Sequence, residues 1–372
     1  MLIGIDISRT TRAQHTGTEW YSLALTQALL ELPSAHTWRL YFNQPPAPGV
    51  WPARAGVELK VMPWLRAWTH VRLSAEMLIA PPDVLFVPAH VLPALSPRRC
   101  VVTVHDLGYR YYPEAHTPAS RYYLELSTRW NVWRSTLALA DSEATRRDLV
   151  SVYSAPADKV RVVYPGRDET LRRAAPETIA AVTRRLDIDG AYILHVGTLQ
   201  PRKNLARLIE AYAGLRAGWA GPGPAPLLVL AGGRGWLSQS IFETARRLGL
   251  EASVRFVGYV NRADLPALLS GASLFVFPSL YEGFGFPVLE AMACETPVIC
   301  SNASSLPEVA GDAALLIDPL DTPAWTAAMY AVLRDADLAA RLVDAGRRNV
   351  QRFSWGRAAR QALDVLEEAG RR

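Results

Sequence analysis

Short, continuously apolar runs alternate along this chain with longer stretches whose apolar residues recur every three or four positions. Residues 2–6, 38–42, 57–62, 84–87, 100–104, a run ending at Asp141 and 160–163 predict strands. A second series follows at 192–196, 227–231, 254–258, 274–277, 297–300 and 314–317. Helical faces fall between them. Trp20, Leu23, Ala24 and Leu30 mark one, residues 263–271 another, and Pro287 opens a third, since the first turn of a helix loses nothing by a missing N–H. Strand and helix patterns alternating from end to end predict an α/β protein with parallel sheets. The charged stretch 167–190 has no strand pattern and reads as an inter-domain connection. It separates a domain over 1–166 from one over 191–353, with a last helix over 354–372.

A chain of 372 residues is long for one core, which agrees with two domains. Its net charge of +5 arises from 40 Lys+Arg against 35 Asp+Glu spread along the chain, so no basic patch points to nucleic acid. Cys100, Cys294 and Cys300 lie in apolar surroundings without metal spacing, as reduced thiols of a cytoplasmic protein do. A strand directly after Met1 leaves no room for a signal peptide, and no apolar run reaches membrane-span length. Trp64, Arg66, Trp68, His70 and Arg72, and the aromatic and arginine mixture over 121–134, leave two readings open. They are a surface for peripheral contact with the inner face of a membrane, or core faces edged by solvated arginines.

The densest chemistry lies over 272–298, ASLFVFPSLYEGFGFPVLEAMACETPV. A buried strand gives way to a glycine loop and a helix N-terminus, with Glu282 and Glu290 on either side of the turn. The N–H groups of Phe284, Gly285 and Phe286, with the positive end of the helix dipole, suit an anion such as phosphate. Carboxylates repel phosphate but accept hydrogen bonds from neutral hydroxyls. A diphosphate with a polyol at each end, a nucleotide sugar, satisfies both.

The setting PSLYEGFGFPVLEAMA resembles the Glu-x7-Glu signature of retaining glycosyltransferases of the glycogen-synthase-like superfamily. That resemblance implies the GT-B fold, two Rossmann-like parallel-sheet domains facing across a cleft, with the acceptor on the first and the donor on the second. It implies that Glu290 holds the ribose and that Glu282, with Phe284 and Gly285, orients the sugar. Leu289 counts among the donor-binding positions. GTLQPRK, from Gly197 to Lys203, resembles the family's diphosphate clamp, which assigns Arg202 and Lys203 to the leaving group. Tyr259 and Val260 stand where relatives pack the nucleotide base. His105-Asp106 at a strand end resembles the motif whose histidine reaches the transferred sugar; a packed His beside a capping Asp stays open. Gly17 matches a glycine facing the donor phosphates, or is a plain turn residue. LALADSEATRRDLV, and Tyr164-Pro165-Gly166 at the domain exit, extend the resemblance.

The resemblance implies a transferase moving a hexose to a hydroxyl of a glycan or lipid-linked acceptor, retaining anomeric configuration. SNASSLPEVAGDAALLIDP is similar to mannosyltransferases of polysaccharide assembly, which points to GDP-mannose. No cofactor and no metal is expected, since Asp187-Ile188-Asp189 and Asp335-Ala336-Asp337 follow no strand into a cleft. Two rivals remain. A NAD-dependent oxidoreductase would use Gly233 and Gly235, but Ser238 replaces the third glycine of its fingerprint. A non-catalytic nucleotide-sugar or glycan binder would need no cluster of His105, Arg202, Lys203, Glu282 and Glu290. The sequence leaves oligomeric state open.

Overall fold

The computed structural model describes residues 1–11, 17–51, 54–64, 66–89 and 91–372. It divides into two units, one formed by residues 1–110, 118–166 and 353–372, the other by 111–117 and 167–352.

The first unit is built on a seven-stranded parallel sheet of β1 (Leu2–Asp6), β2 (Thr37–Phe42), β3 (Val57–Val61), β4 (Val84–Val87), β5 (Cys100–Val104), β6 (Leu137–Ala140) and β7 (Val160–Val162), in the order β3-β2-β1-β4-β5-β6-β7. Successive residues of β4 serve opposite faces. Val84 and Phe86 pack with Tyr21, Leu25 and Leu29 of the helix Gly17–Glu31 and with Ala358, Ala359, Ala362 and Leu366 of the helix Trp355–Arg371. Leu85 and Val87 pack with Trp68, Leu73 and Met77 on the other side. Helices on both faces explain why these strands read as unbroken apolar runs. Ser354 caps the last helix by accepting from the Arg357 N–H, 3.2 Å away. Gly166 is required at the exit from this unit, because a Cβ there would lie 2.2 Å from the Trp355 nitrogen.

The second unit repeats the plan with β8 (Tyr192–Val196), β9 (Leu227–Ala231), β10 (Val254–Gly258), β11 (Leu274–Phe277), β12 (Val298–Ser301) and β13 (Leu315–Ile317), in the order β10-β9-β8-β11-β12-β13. Ile193, Leu228, Leu230, Leu274, Val276 and Ile299 form its core with Leu208, Tyr212, Trp325 and Met329. In both units the first strand lies between the second and the fourth, so strand order reverses beside it. At such a reversal the loops leaving the carboxyl ends of two neighbouring strands diverge and open a crevice. In the second unit those strands are β8 and β11.

Two findings differ from the sequence reading. Residues 167–190 carry the helix Pro176–Arg185 and cluster with the second unit: Val182 is buried, and the Ala174 N–H donates to Ser270 Oγ at 2.9 Å. Residues 111–117 also cluster with the second unit, although their neighbours in sequence belong to the first. Of the two Asp-x-Asp pairs, Asp335 is spent as a helix cap, accepting from the Leu338 N–H at 2.9 Å. Among the described residues no cluster of three His, Cys, Asp or Glu side chains suits a metal ion, and no helix is long and apolar enough to cross a membrane.

Candidate active site

The loops leaving β8 and β11 are tied to each other at the strand-order reversal. The Leu280 N–H donates to the Arg202 carbonyl at 2.9 Å, and Arg202 Nη1 donates to the Tyr281 carbonyl at 2.5 Å. These links bring residues about 80 positions apart into one cluster. Lys203 Nζ lies 2.5 Å from Glu282 Oε1, and Arg202 Nη1 lies 3.2 Å from Glu282 Oε2. Lys203 also sits over the Phe277 ring, 4.8 Å from its centroid. All three charged side chains are largely buried.

Burial alone would push the Glu282 carboxyl up. The two cations beside it overcome that penalty and hold it down to about 2. Glu282 is therefore a carboxylate at every physiological pH, and it gives Arg202 and Lys203 an internal counter-charge. The sequence reading separated these residues into a diphosphate clamp and a sugar-orienting acid. The fold places the acid directly on the clamp.

The loop bearing Glu282 is pinned from the stretch after β12. Ser304 Oγ accepts from the Glu282 N–H at 2.8 Å, and Ser305 Oγ donates to the carbonyls of Glu282 and Phe284 at 2.9 and 2.6 Å. Sequence reasoning used SNASSLPE as a likeness without seeing this work. The loop ends at Gly285, whose φ of +117° begins the helix Phe286–Ala293. A Cβ on Gly285 would also lie 2.6 Å from Leu306 Cδ2. Phe284 and Leu289 are buried, so what Leu289 can offer a ligand is backbone rather than side chain.

Glu290 lies one turn into that helix, half-buried, and burial pushes its carboxyl up to about 6. Arg262 opposes the rise and Asp168 adds to it. Those two pair with each other, Arg262 Nε donating to Asp168 Oδ2 at 3.0 Å with a second contact from the same guanidinium. Tyr259 leaves β10 with its ring exposed, and Val260 beside it is partly covered. Gly197 leads the loop after β8. Asn204, a residue type that often caps helices, adopts left-handed backbone and donates its side-chain amide to the Pro319 carbonyl at 2.7 Å.

His195 on β8 was not singled out from the sequence. It is fully buried, with Nδ1 3.1 Å from the Val276 carbonyl and its ring stacked on Phe277. Burial, with Lys203 adding to it, pushes its pKa down to about 3, so the imidazole is neutral beneath the cation loop.

In the first unit, His105 follows β5. Its Nδ1 lies 2.6 Å from Asp141 Oδ2 and its Nε2 lies 2.9 Å from the Pro88 carbonyl. A carbonyl can only accept, so Nε2 carries a proton. Burial works against the charged ring, but Asp141 facing Nδ1 outweighs it and raises the pKa. The edge of Tyr21 covers the ring, 4.8 Å between centroids. Gly17 is exposed at the start of its helix.

Comparison with known proteins follows the same division. The family profile of the group 1 glycosyl transferases matches residues 183–349, and that of Glycosyltransferase Family 4 matches residues 16–171. The O-antigen chain mannosyltransferase B of Escherichia coli is 34% identical over 270 residues, which is 72% of this chain and 70% of that protein. The D-inositol 3-phosphate glycosyltransferase of Salinispora tropica is 34% identical over 245 residues, 62% of this chain but 50% of that protein. Among solved structures, Anabaena Alr3699/HepE in complex with UDP-glucose superposes with a TM-score of 0.74. It covers 99% of this chain and 100% of that one at 19% identity, a likeness of fold.

Proposed function

The chain belongs to the group 1 glycosyl transferases, with the paired Rossmann-like domains of the GT-B fold, and from that premise we propose that it transfers a mannosyl group from GDP-mannose to a glycan or lipid-linked hydroxyl, with retention of configuration. Membership of this family removes the oxidoreductase reading. The observation that carries the proposal is the joining of Arg202, Lys203 and Glu282 at the carboxyl ends of β8 and β11.

In this reading the diphosphate takes up Arg202 and Lys203, and Glu282 turns its freed hydrogen-bonding capacity to sugar hydroxyls. Fixed cations aimed at the leaving group act where negative charge develops, which is where electrostatic stabilisation lowers a barrier. No metal is needed for that step in this reading, and a chelator should leave turnover unchanged. Glu290 accepts from ribose hydroxyls, while Tyr259 and Val260 hold the base. The resemblance assigns His105 to the transferred sugar, but both of its ring nitrogens are engaged within the first unit, by Asp141 and the Pro88 carbonyl. Glu282, engaged with the sugar hydroxyls in this reading, is not offered to the anomeric carbon as a nucleophile. Retention then proceeds by same-face substitution. The bond from the anomeric carbon to the departing phosphate breaks as the bond to the acceptor oxygen forms, and the acceptor's proton passes to the phosphate. The mannosyl assignment is supported by the Escherichia coli relative's name. Thermal-shift screening against GDP, UDP, ADP and TDP sugars tests it: GDP-mannose should give the largest stabilisation, and a larger response to any other donor would replace it.

For the acceptor we propose delivery at an anionic bilayer. Trp64, Leu78, Ile79, Tyr122 and Trp133 of the first unit are exposed, and Arg66 and Arg121 are exposed on the same segments. Failure of the wild type to co-sediment with anionic liposomes would remove the membrane from the account, and binding that survives neutralisation of Arg66, Arg72, Arg129 and Arg134 would remove these arginines from it.

A further inference from the structure

Tyr111 is an aromatic residue for which the transfer scheme has no use. It keeps 45% of its surface exposed, yet it is held in place. Its ring stacks on that of Tyr281, 5.0 Å between centroids and 25° between planes, and Tyr281 is buried. The next residue, Tyr112, donates its hydroxyl to the Leu280 carbonyl at 3.4 Å. Leu280 and Tyr281 are also the residues that link to Arg202, and Glu282 follows them directly. The segment 111–117, which groups with the second unit, is thus fastened to the loop that carries the charge cluster.

We propose that Tyr111 is the platform on which a sugar ring of the acceptor lies, so that the group receiving the transferred hexose is carried by a pyranoside. This rests on the transferase reading and adds to it the class of acceptor. A flat ring with open surface offers a pyranose what water does not. The sugar's axial C–H groups form an apolar face that stacks on an aromatic ring, while its hydroxyls stay solvated or bonded at the rim. Tyr281, on which Tyr111 stacks, precedes Glu282 in sequence and accepts from Arg202 through its carbonyl, so the platform is fastened to the loop of the charge cluster. Stacking on a partner lowers the entropy that a mobile tyrosine would lose on binding.

Ligand-observed saturation-transfer NMR tests this with methyl α-D-mannopyranoside and α-linked mannobiose as probes, and myo-inositol as the competing class. In the wild type, saturation should fall on the C–H protons of one pyranoside face and be absent from myo-inositol. Tyr111→Ala should weaken probe binding by about tenfold, the size expected for one lost aromatic contact, while Tyr111→Phe and Tyr111→Trp keep it. Thermal stabilisation by GDP should be the same in all four proteins, which shows that the variants are folded and separates this test from that of the donor. Pyranoside binding that is absent from the wild type, or unchanged in Tyr111→Ala, overturns the proposal, as does a preference for myo-inositol. Failure of every nucleotide diphosphate to stabilise the wild type would instead sink the transferase reading.

Discussion

Replacing Glu282 with Gln keeps its shape and removes its charge, leaving Arg202 and Lys203 packed side by side without their shared anion. The size of the effect follows from the site. Glu282 is held at about 2 instead of 4.5, and at about 1.4 kcal/mol per pH unit that difference is worth about 3 kcal/mol to the folded state. Breaking a buried ion pair from one side typically costs about 3–5 kcal/mol, in the same range. The sign is that of a carboxyl with a lowered folded pKa: its contribution is complete above pH 4.5 and is lost as pH falls from there through 2. Glu282→Gln should therefore destabilise the second unit by about 3 kcal/mol at pH 7, and the gap from wild type should narrow as pH drops below 4.5. Hydrogen exchange across residues 274–293 reads this free energy without assuming that the two units unfold together. The same variant should bind a nucleoside diphosphate at least as tightly as wild type, because an incoming diphosphate no longer competes with an internal acid, while turnover of the nucleotide sugar falls. A change below about 1 kcal/mol at pH 7, or weaker binding of the diphosphate, would mean that Glu282 is not the counter-charge of these cations.

Glu290, raised to about 6 by burial, must lose its proton to accept two ribose hydroxyls, so donor affinity should rise with pH through 6 and level off above it. Calorimetric titration of Glu290→Gln should show no such inflection. Gly285→Ala meets both a left-handed backbone at φ +117° and Leu306 Cδ2 at 2.6 Å. It should cost about 1–3 kcal/mol of stability in thermal or denaturant unfolding, and a neutral effect would mean that the loop does not hold this conformation. Asp141→Asn removes the anion that faces His105 Nδ1. The imidazole should then titrate at lower pH by NMR, and an unchanged titration would show that Asp141 does not set its charge.

How much of this was legible in the sequence depended on distance along the chain. The strands were, because a parallel strand covered on both faces leaves an unbroken apolar run; β4, β5, β8 and β11 begin and end where those runs do. The loop residues with chemistry were also legible, since Arg202, Lys203, Glu282, Gly285 and Glu290 follow strand ends in a glycine and proline context. Their mutual arrangement was not. Lys203 and Glu282 are 79 residues apart, and nothing local says that the acid rests on the cation. His195 inside β8 reads as one more core position until Val276 and Phe277 of β11 are laid beside it. Asn204 has the composition of a cap, but a tertiary partner, the Pro319 carbonyl, takes its amide. Tyr111 gave no signal at all, because its stack on Tyr281 crosses 170 residues of sequence.

In the proposed function the loops after β8 and β11 hold a nucleotide through its diphosphate. Calorimetric titration of wild type, Arg202→Ala and Lys203→Ala with GDP and with guanosine tests it most directly, with UDP and uridine as the parallel pair. In the wild type the diphosphate should bind far more tightly than its nucleoside. Each alanine variant should lose about ten- to a hundredfold for the diphosphate, the strength of one charged hydrogen bond, and nothing for the nucleoside. Equal affinity for diphosphate and nucleoside in the wild type, or variants that bind both as the wild type does, would contradict it.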